Sequence, residues 1–568
     1  MASVSRIRLI SLLVLFVAAL IITRLFYVQV IHGSEYSGNA ERQYAVPSDH
    51  IFDRGSILFK ERGGDLISAA TLESGYILVI SPEELKDRED AFRQLSSVIT
   101  LERDAFMLKA NKNGDPYEEL AHRVSKDDAV KIGAMKIPGV SLYTEKWRVY
   151  PGGTLAAQVL GFLAYKGDDY SGRYGLENYY NDTLTRVGGG LYINFFAEVF
   201  TNLKDSIFTE AGKREGDLIL TIDPAIQSAL EKELAVVEEK YKSEVSGGII
   251  INPKDGSIYA MAKAPTFDLG KFQDVKDVNL FNNQVIEGAY EMGSILKPLT
   301  MAAALDAGAV TATTTYNDKG SLTLSNYTIY NFDKKPRGIV NMQAVLNQSL
   351  NLGAVFAMQK LGKDKFRDYM LGFGLGEKTG IDLPGEGRNL ISNLNTNRDI
   401  EFANASFGQG IALTPVSITR ALSVLANGGY LVTPHLVEKI EYKTGFSKTL
   451  EYPKGRQVIK PEASEEISRM LTEVVDSTLL GEKEKITNYS IAAKTGTAQL
   501  TREDGKGYYD DRYLHSFFGY FPSYDPEFLV FLFTRNPQGE TYASHTLKVP
   551  FMNLAKFLIN YYEIPPDR

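Results

Sequence analysis

The longest apolar run lies near the start of the chain. From Leu9 to Ile31 (LISLLVLFVAALIITRLFYVQVI), Arg24 is the only charged residue, and the length suits a helix that crosses a bilayer. Arg6 and Arg8 precede the run and no positive cluster follows closely. The N-terminus is therefore expected to stay cytoplasmic, with everything after about His32 on the far side. The run is long for the apolar core of a signal peptide and ends at no A-x-A site, so we expect an uncleaved anchor, with Arg24 snorkelling outward.

Beyond the anchor the pattern changes twice. Up to about Glu215 it is mixed, with strands expected at Ser56–Phe59 and Thr71–Ile80 and helical patches at 87–113 and 126–132. Trp147-Arg148-Val149-Tyr150-Pro151 and Gly172-Arg173-Tyr174-Gly175-Leu176-Glu177 form compact islands of aromatic, glycine and charged residues. They read as loops pinned by arginine–carboxylate pairs. From Gly216 the pattern sharpens. Strand Leu218–Ile222 leads to Asp223, a good N-cap, and Pro224 at the first helical position, with a helix to about Lys242.

A hairpin at Gly247–Lys263 turns at Pro253-Lys254-Asp255-Gly256. A long, mostly helical stretch is expected to run to about Phe373, followed by helices at Pro415–Ala426 and Pro461–Leu480. Strands return at Tyr489–Leu500, His515–Phe521 and Glu527–Thr534, before a last helix at Pro550–Tyr562. Strands at both ends with helices between them predict an α/β (α+β) domain. Its single sheet is built from both ends of this region and covered by helices.

Composition narrows the chemistry. With 568 residues and 44% hydrophobic content, the chain can bury cores for two or three domains. A net charge of −8 without a basic, aromatic-interleaved patch argues against nucleic acid as a partner. There is no cysteine, hence no disulfide frame and no thiolate metal site. The six histidines are scattered, with no H-E-x-x-H and no metal-ligand spacing. His515 reads as a hydrogen bonder at a strand edge and not as a base.

One tetrapeptide offers a nucleophile. Ser294-Ile295-Leu296-Lys297 is the only S-x-x-K in the chain. On a helix the two side chains lie about 60° apart around the axis and about 4.5 Å along it. An amine held there can take the serine proton. Leu299 to Gly308 is rich in helix formers, and Pro298 is tolerated only near a helix start, so the helix should begin at or just before Ser294.

Two further elements complete a Ser-Lys acyl-transfer set. Ser349-Leu350-Asn351 lies between helical segments; its hydroxyl can relay a proton and its amide can orient a lysine and a substrate amide. Lys494-Thr495-Gly496-Thr497 follows an apolar strand start. It offers a positive charge, two hydroxyls for a carboxylate, and a glycine against which a substrate backbone can lie. Lys-Thr-Gly also occurs at residues 378–380 and 443–445. Context favours Lys494.

In this order and spacing, with RLFYVQV, DRGSI, GRYGLENYY, LTIDPAIQ, FGQGIALTP and KTGTAQ elsewhere, the chain resembles the class B penicillin-binding proteins. These are membrane-anchored peptidoglycan D,D-transpeptidases. Met292 and Ile295-Leu296 depart from the more usual Pro and Thr-Phe or Thr-Met, which affects pocket shape and not the chemistry.

The resemblance implies a cytoplasmic head (1–8), an anchor (9–31), an elongated pedestal of the dimerisation type (32–215) and a penicillin-binding, β-lactamase-like transpeptidase domain (216–568). It implies Ser294 as nucleophile, Lys297 as base, Ser349 as proton relay, and Asn351 orienting Lys297 and substrate. Lys494, Thr495, Gly496 and Thr497 would hold the terminal carboxylate of a D-Ala-D-Ala stem peptide. The Ser294 and Thr497 amides would form the oxyanion hole.

No cofactor is implied. Implied partners are stem peptides, β-lactams and a polytopic membrane glycosyltransferase, in division or elongation of the wall. The same residues would serve a D,D-carboxypeptidase or endopeptidase with water as acceptor. A non-catalytic scaffold or a β-lactam sensor is a further alternative, which the intact set and the short head disfavour.

Overall fold

In the computed structural model, residues 52–186 and 215–568 are described, apart from loop positions 113, 167–168, 325, 444, 454, 480, 482–484, 504 and 506. The expected anchor at Leu9–Ile31 lies outside the described residues. Among those described, no helix is long and apolar enough to cross a membrane.

The chain forms two compact units. The described part of the smaller one is Glu73–Trp147 with Phe52 and Asp53. Helices Arg88–Ser96, Arg103–Ala110 and Lys126–Met135 lie in sequence around strand Glu118–Val124. The first and last start at side-chain caps: Asp87 accepts from the Asp90 amide and Ser125 from the Asp128 amide. Their apolar faces meet Leu78 and Ile80 in a core that includes Leu95, Phe106 and Ile132.

The larger unit comprises Arg54–Leu72 with 148–186 and 215–568. Ile57–Lys60 pairs antiparallel with Leu66–Ala70 and parallel with Gly216–Leu220, which in turn pairs with Val437–Tyr442. The two loop islands are pinned here by one carboxylate. Glu177, fully buried, accepts from Arg54 Nε at 2.6 Å and Arg148 Nε at 2.7 Å.

The chemistry rests on a separate five-stranded sheet. Helix α1 (Pro224–Tyr241) opens at Asp223, which accepts from the Ala225 and Ile226 amides, with Pro224 at its first position. Strands β1 (Val245–Ile251) and β2 (Ile258–Ala264) follow as a hairpin. Then come α2 (Lys297–Asp306), α3 (Asn351–Leu361), α4 (Pro415–Ala426) and α5 (Pro461–Val474). Strands β3 (Ala492–Thr501), β4 (Tyr508–Phe521) and β5 (Phe528–Arg535) and helix α6 (Lys548–Tyr562) end the chain.

The strand order is β3-β4-β5-β1-β2, antiparallel throughout. Side chains alternate between faces with period two. Ile249, Ile251, Phe531 and Phe533 join one core with Leu299, Leu422 and Met470 of α2, α4 and α5. Ile250, Val530 and Leu532 join another with Leu230 of α1 and Leu554 and Leu558 of α6. Both faces are covered, so β1 and β5 read as continuous apolar runs. Each such side chain contributes about 1.5–3 kcal/mol of hydrophobic burial.

The stretch expected to be mostly helical up to Phe373 carries four short strands before its helices: Thr315–Asp318, Ser321–Leu324, Tyr327–Tyr330 and Gly338–Asn341. Threonine, tyrosine and isoleucine alternate there, separated by turns rich in glycine, asparagine and aspartate, and such residues suit half-exposed strands better than helices.

Candidate active site

Three segments converge on one cleft of about 780 Å³ whose walls include Ser294, Ser349, Asn351, Thr495, Thr497 and Tyr508. Ser294 lies in a 3₁₀ turn, Gly293–Leu296, which passes directly into α2 at Lys297 with Pro298 in its first turn. The helix thus starts one turn later than the serine. Gly293 adopts φ +62°, and a Cβ on it would lie 2.7 Å from the Thr497 carbonyl oxygen. Only glycine fits both constraints.

Lys297 is buried beneath this turn, 1% exposed. Its Nζ donates to the Ser349 carbonyl and, at 3.2 Å, to Ser349 Oγ. Lys494 Nζ, 3% exposed as a residue, reaches the same Oγ at 3.0 Å and the Thr495 carbonyl at 3.0 Å. Ser349 adopts the left-handed backbone conformation, φ +54°, which costs a non-glycine residue about 1 kcal/mol. Burial, and then the neighbouring Lys494 charge, push the Lys297 amine well below the ordinary lysine range. Burial brings Lys494 down to about 7. Desolvation penalises an ammonium, so both amines are poised to lose protons at modest pH.

The other two Lys-Thr-Gly copies lie elsewhere. Lys378 and Lys443 are exposed; the Thr379 amide donates to Glu386, and Lys443 pairs with Glu215 at 3.8 Å.

Three residues differ from their sequence expectation. Asn351 Nδ2 donates to the Tyr330 carbonyl at 2.9 Å, so Asn351 lines the cleft but fastens the Tyr327–Tyr330 strand and not Lys297. Gly496 does not leave room for substrate. A Cβ there would meet Ser516 Oγ at 2.4 Å, the Met292 carbonyl oxygen at 2.6 Å and Ile295 Cγ2 at 3.0 Å. Its bare backbone lets Ser516 donate to the Met292 carbonyl at 2.9 Å, which seats the serine turn on the sheet. His515 is a hydrogen bonder, but on the inner strand β4. Nδ1 pairs with Thr546 Oγ1 at 2.9 Å and Nε2 with the Thr541 carbonyl at 3.0 Å, and burial lowers its pKa to about 4. These contacts hold the 541–546 segment, from which the Ala543 amide donates to Thr497 Oγ1 at 3.2 Å.

Sequence reasoning missed part of the cleft wall. Tyr508 lines it, and its hydroxyl donates to Glu291, three residues before Ser294. It also missed Thr541–Ser544, which lines the cleft after β5. Proximity to the S-x-x-K motif was the only available signal for Glu291. No periodicity marks Tyr508.

Residues 247–554 match the penicillin binding protein transpeptidase domain family, and residues 53–195 match the penicillin-binding protein dimerisation domain family. Stage V sporulation protein D of Bacillus subtilis (strain 168) is 31% identical over 93% of this chain and 81% of its own length. The peptidoglycan D,D-transpeptidase FtsI homolog of Mesostigma viride is 28% identical over 99% of this chain and 97% of its own. Among solved structures, penicillin binding protein 2X from Streptococcus thermophilus superposes with a TM-score of 0.75 at 19% identity, covering 90% of this chain and 81% of that one. That likeness concerns the fold.

Proposed function

The chain belongs to the penicillin-binding protein transpeptidase family, and from that premise we propose that it is a peptidoglycan D,D-transpeptidase that works through a Ser294 acyl-enzyme. One observation carries the residue assignment: two buried lysine amines share the hydroxyl of Ser349 in the cleft that exposes Ser294. An amine deprived of solvent is a base, which a serine nucleophile needs.

Neutral Lys297 takes the Ser294 proton as Oγ bonds to the carbonyl carbon of the penultimate D-alanine. The Ser294 and Thr497 amides receive the developing oxyanion. Ser349, which accepts from both amines, still has its own hydroxyl proton to pass to the departing D-alanine amine. Charged Lys494 with Thr495 and Thr497 binds the terminal carboxylate. Asn351 acts from the cleft wall on the substrate amide, and Gly496 acts by seating the nucleophile. An amine of a second stem then takes the acyl group, which forms the cross-link.

Residues 9–31 anchor this enzyme in the membrane, with residues from 32 onward outside the cytoplasm. The domains divide as head 1–8, anchor 9–31, pedestal 32–215 and transpeptidase 216–568. A polytopic membrane glycosyltransferase supplies the glycan strand. The test is mass spectrometry of the penicillin-treated chain: one adduct on Ser294, lost in Ser294→Ala. An adduct on any other residue overturns the assignment.

A further inference from the structure

Cross-linking has two proton problems, and the lysines address only the first. The acceptor arrives as an ammonium and must lose a proton before its nitrogen can attack the acyl-enzyme. Lys297 and Lys494 are cationic when protonated and sit at the donor end. A second cation is repelled there.

The part of the cleft wall at Tyr508 is built differently. Tyr508 opens β4 and lines the same cleft as Ser294. Its hydroxyl donates to both Glu291 oxygens, at 3.2 and 3.1 Å. Glu291 is half-buried at the start of the serine turn and also receives the Gly410 backbone amide. The other carboxylates facing this wall have cations: Glu401 pairs with Arg398 at 2.9 Å and Asp510 with Arg502 at 4.0 Å. Glu291 pairs with no cation among the described residues.

We propose that Tyr508 and Glu291 form the acceptor-amine site: the Tyr508 oxygen binds the incoming ammonium and relays one of its protons to the Glu291 carboxylate. The inference rests on the Ser294 acyl-enzyme reading above. In the step, the ammonium gives one proton to the tyrosine oxygen while the tyrosine proton passes to Glu291. The amine lone pair then bonds to the ester carbon, and the bond to Ser294 Oγ breaks. The second amine proton reaches Oγ through Lys297, and Glu291 later releases its proton to water. Burial holds the Glu291 carboxyl near 7, against the opposing pull of the Tyr508 and Gly410 hydrogen bonds. It can therefore both accept and release a proton close to neutrality.

The full-length chain, a thioester donor and D-alanine as the amine test this. The readout is the ratio of aminolysis to hydrolysis product between pH 5.5 and 8.5, alongside the rate of acylation by penicillin. Tyr508→Phe and Glu291→Gln are expected to lower the ratio about a hundredfold, the scale of general acid–base assistance. They should erase its rise around pH 7, with a smaller loss of acylation, and Glu291→Asp should recover part of the ratio. An unchanged ratio, or equal losses of acylation and aminolysis, overturns the proposal, because the pair would then only brace the serine turn. A wild-type chain that forms no penicillin adduct on Ser294 instead overturns the reading beneath it.

Discussion

Lys297 and Lys494, 197 residues apart in sequence, meet at one hydroxyl: both amines donate to Ser349 Oγ, at 3.2 and 3.0 Å. Two ammonium groups so placed repel each other, and both lysines are buried, so protonation of one raises the cost of protonating the other. The site is a coupled proton store whose charge depends on pH in the range where cells live.

A bell-shaped acylation profile is the first expectation. The proposed mechanism requires Lys297 neutral for acylation, so the second-order rate with penicillin should rise with pH along a limb well below the free-lysine value of about 10.4. The same mechanism requires Lys494 charged to bind the carboxylate, so the rate should fall again as that amine, brought down to about 7 by burial, loses its proton. Lys494→Arg keeps its charge at every pH and should abolish the descending limb. A profile that climbs without turning to pH 10 in the wild type would refute the assignment of charge to Lys494.

Lys297→Arg tests the base. Arginine keeps the charge and cannot shed its proton, so acylation should fall by about a thousandfold, within the range for lost general-base assistance. Stopped-flow measurement of adduct formation that shows near-wild-type rates would reduce Lys297 to a fixed charge.

The three Lys-Thr-Gly copies separate cleanly. Lys494→Ala should lower the acylation rate by about a hundredfold or more, as removal of a preorganised electrostatic group does. Lys378→Ala and Lys443→Ala, both exposed and away from Ser349, should stay within about twofold, as surface substitutions do. Equal losses at all three would show that Lys494 has no special place.

Gly496→Ala asks whether the serine turn is seated by bare backbone. The added carbon would lie 2.4 Å from Ser516 Oγ and 2.6 Å from the Met292 carbonyl oxygen. The turn must shift, and a displacement of about 1 Å at a nucleophile costs on the order of a hundredfold in rate. The double variant with Ser516→Gly should recover only part of this, because the Met292 carbonyl still clashes.

Glu177→Ala addresses stability. It strands two arginines whose side chains are 2% exposed, which costs about 3–5 kcal/mol. A melting temperature equal to wild type would mean that the pair Arg54 and Arg148 finds other partners.

Much of this was legible in the sequence because local chemistry specified it. Asp223-Pro224 marks a helix start in any context, and the apolar runs of β1 and β5, from opposite ends of this region of the chain, read as strands of one sheet. Ser294 and Lys297 show themselves by spacing. The elements that stayed hidden depend on partners far along the chain. Nothing near Gly496 announces that Ser516 and Met292 press against it. Nothing near Asn351 announces that its amide is taken by Tyr330. Glu291 and Tyr508 are 217 residues apart, and neither carries a signature. The strands between Thr315 and Asn341 were missed for another reason: they are short, half-exposed and paired only two by two, so their alternation is weak.

The sheet that joins β1 and β2 to β3, β4 and β5 also fixes when the enzyme can exist. During synthesis Ser294 emerges about two hundred residues before Lys494, and β1 has no neighbour on its β5 side until residue 535 has been made. Until β3 and β4 have been made the serine turn has no strand to sit on, and a chain halted anywhere short of β5 carries an open sheet edge. Such long-range pairings close slowly. Acyl transfer therefore begins only when nearly the whole chain is in place, and a nascent or truncated chain should neither cross-link stem peptides nor be acylated by penicillin.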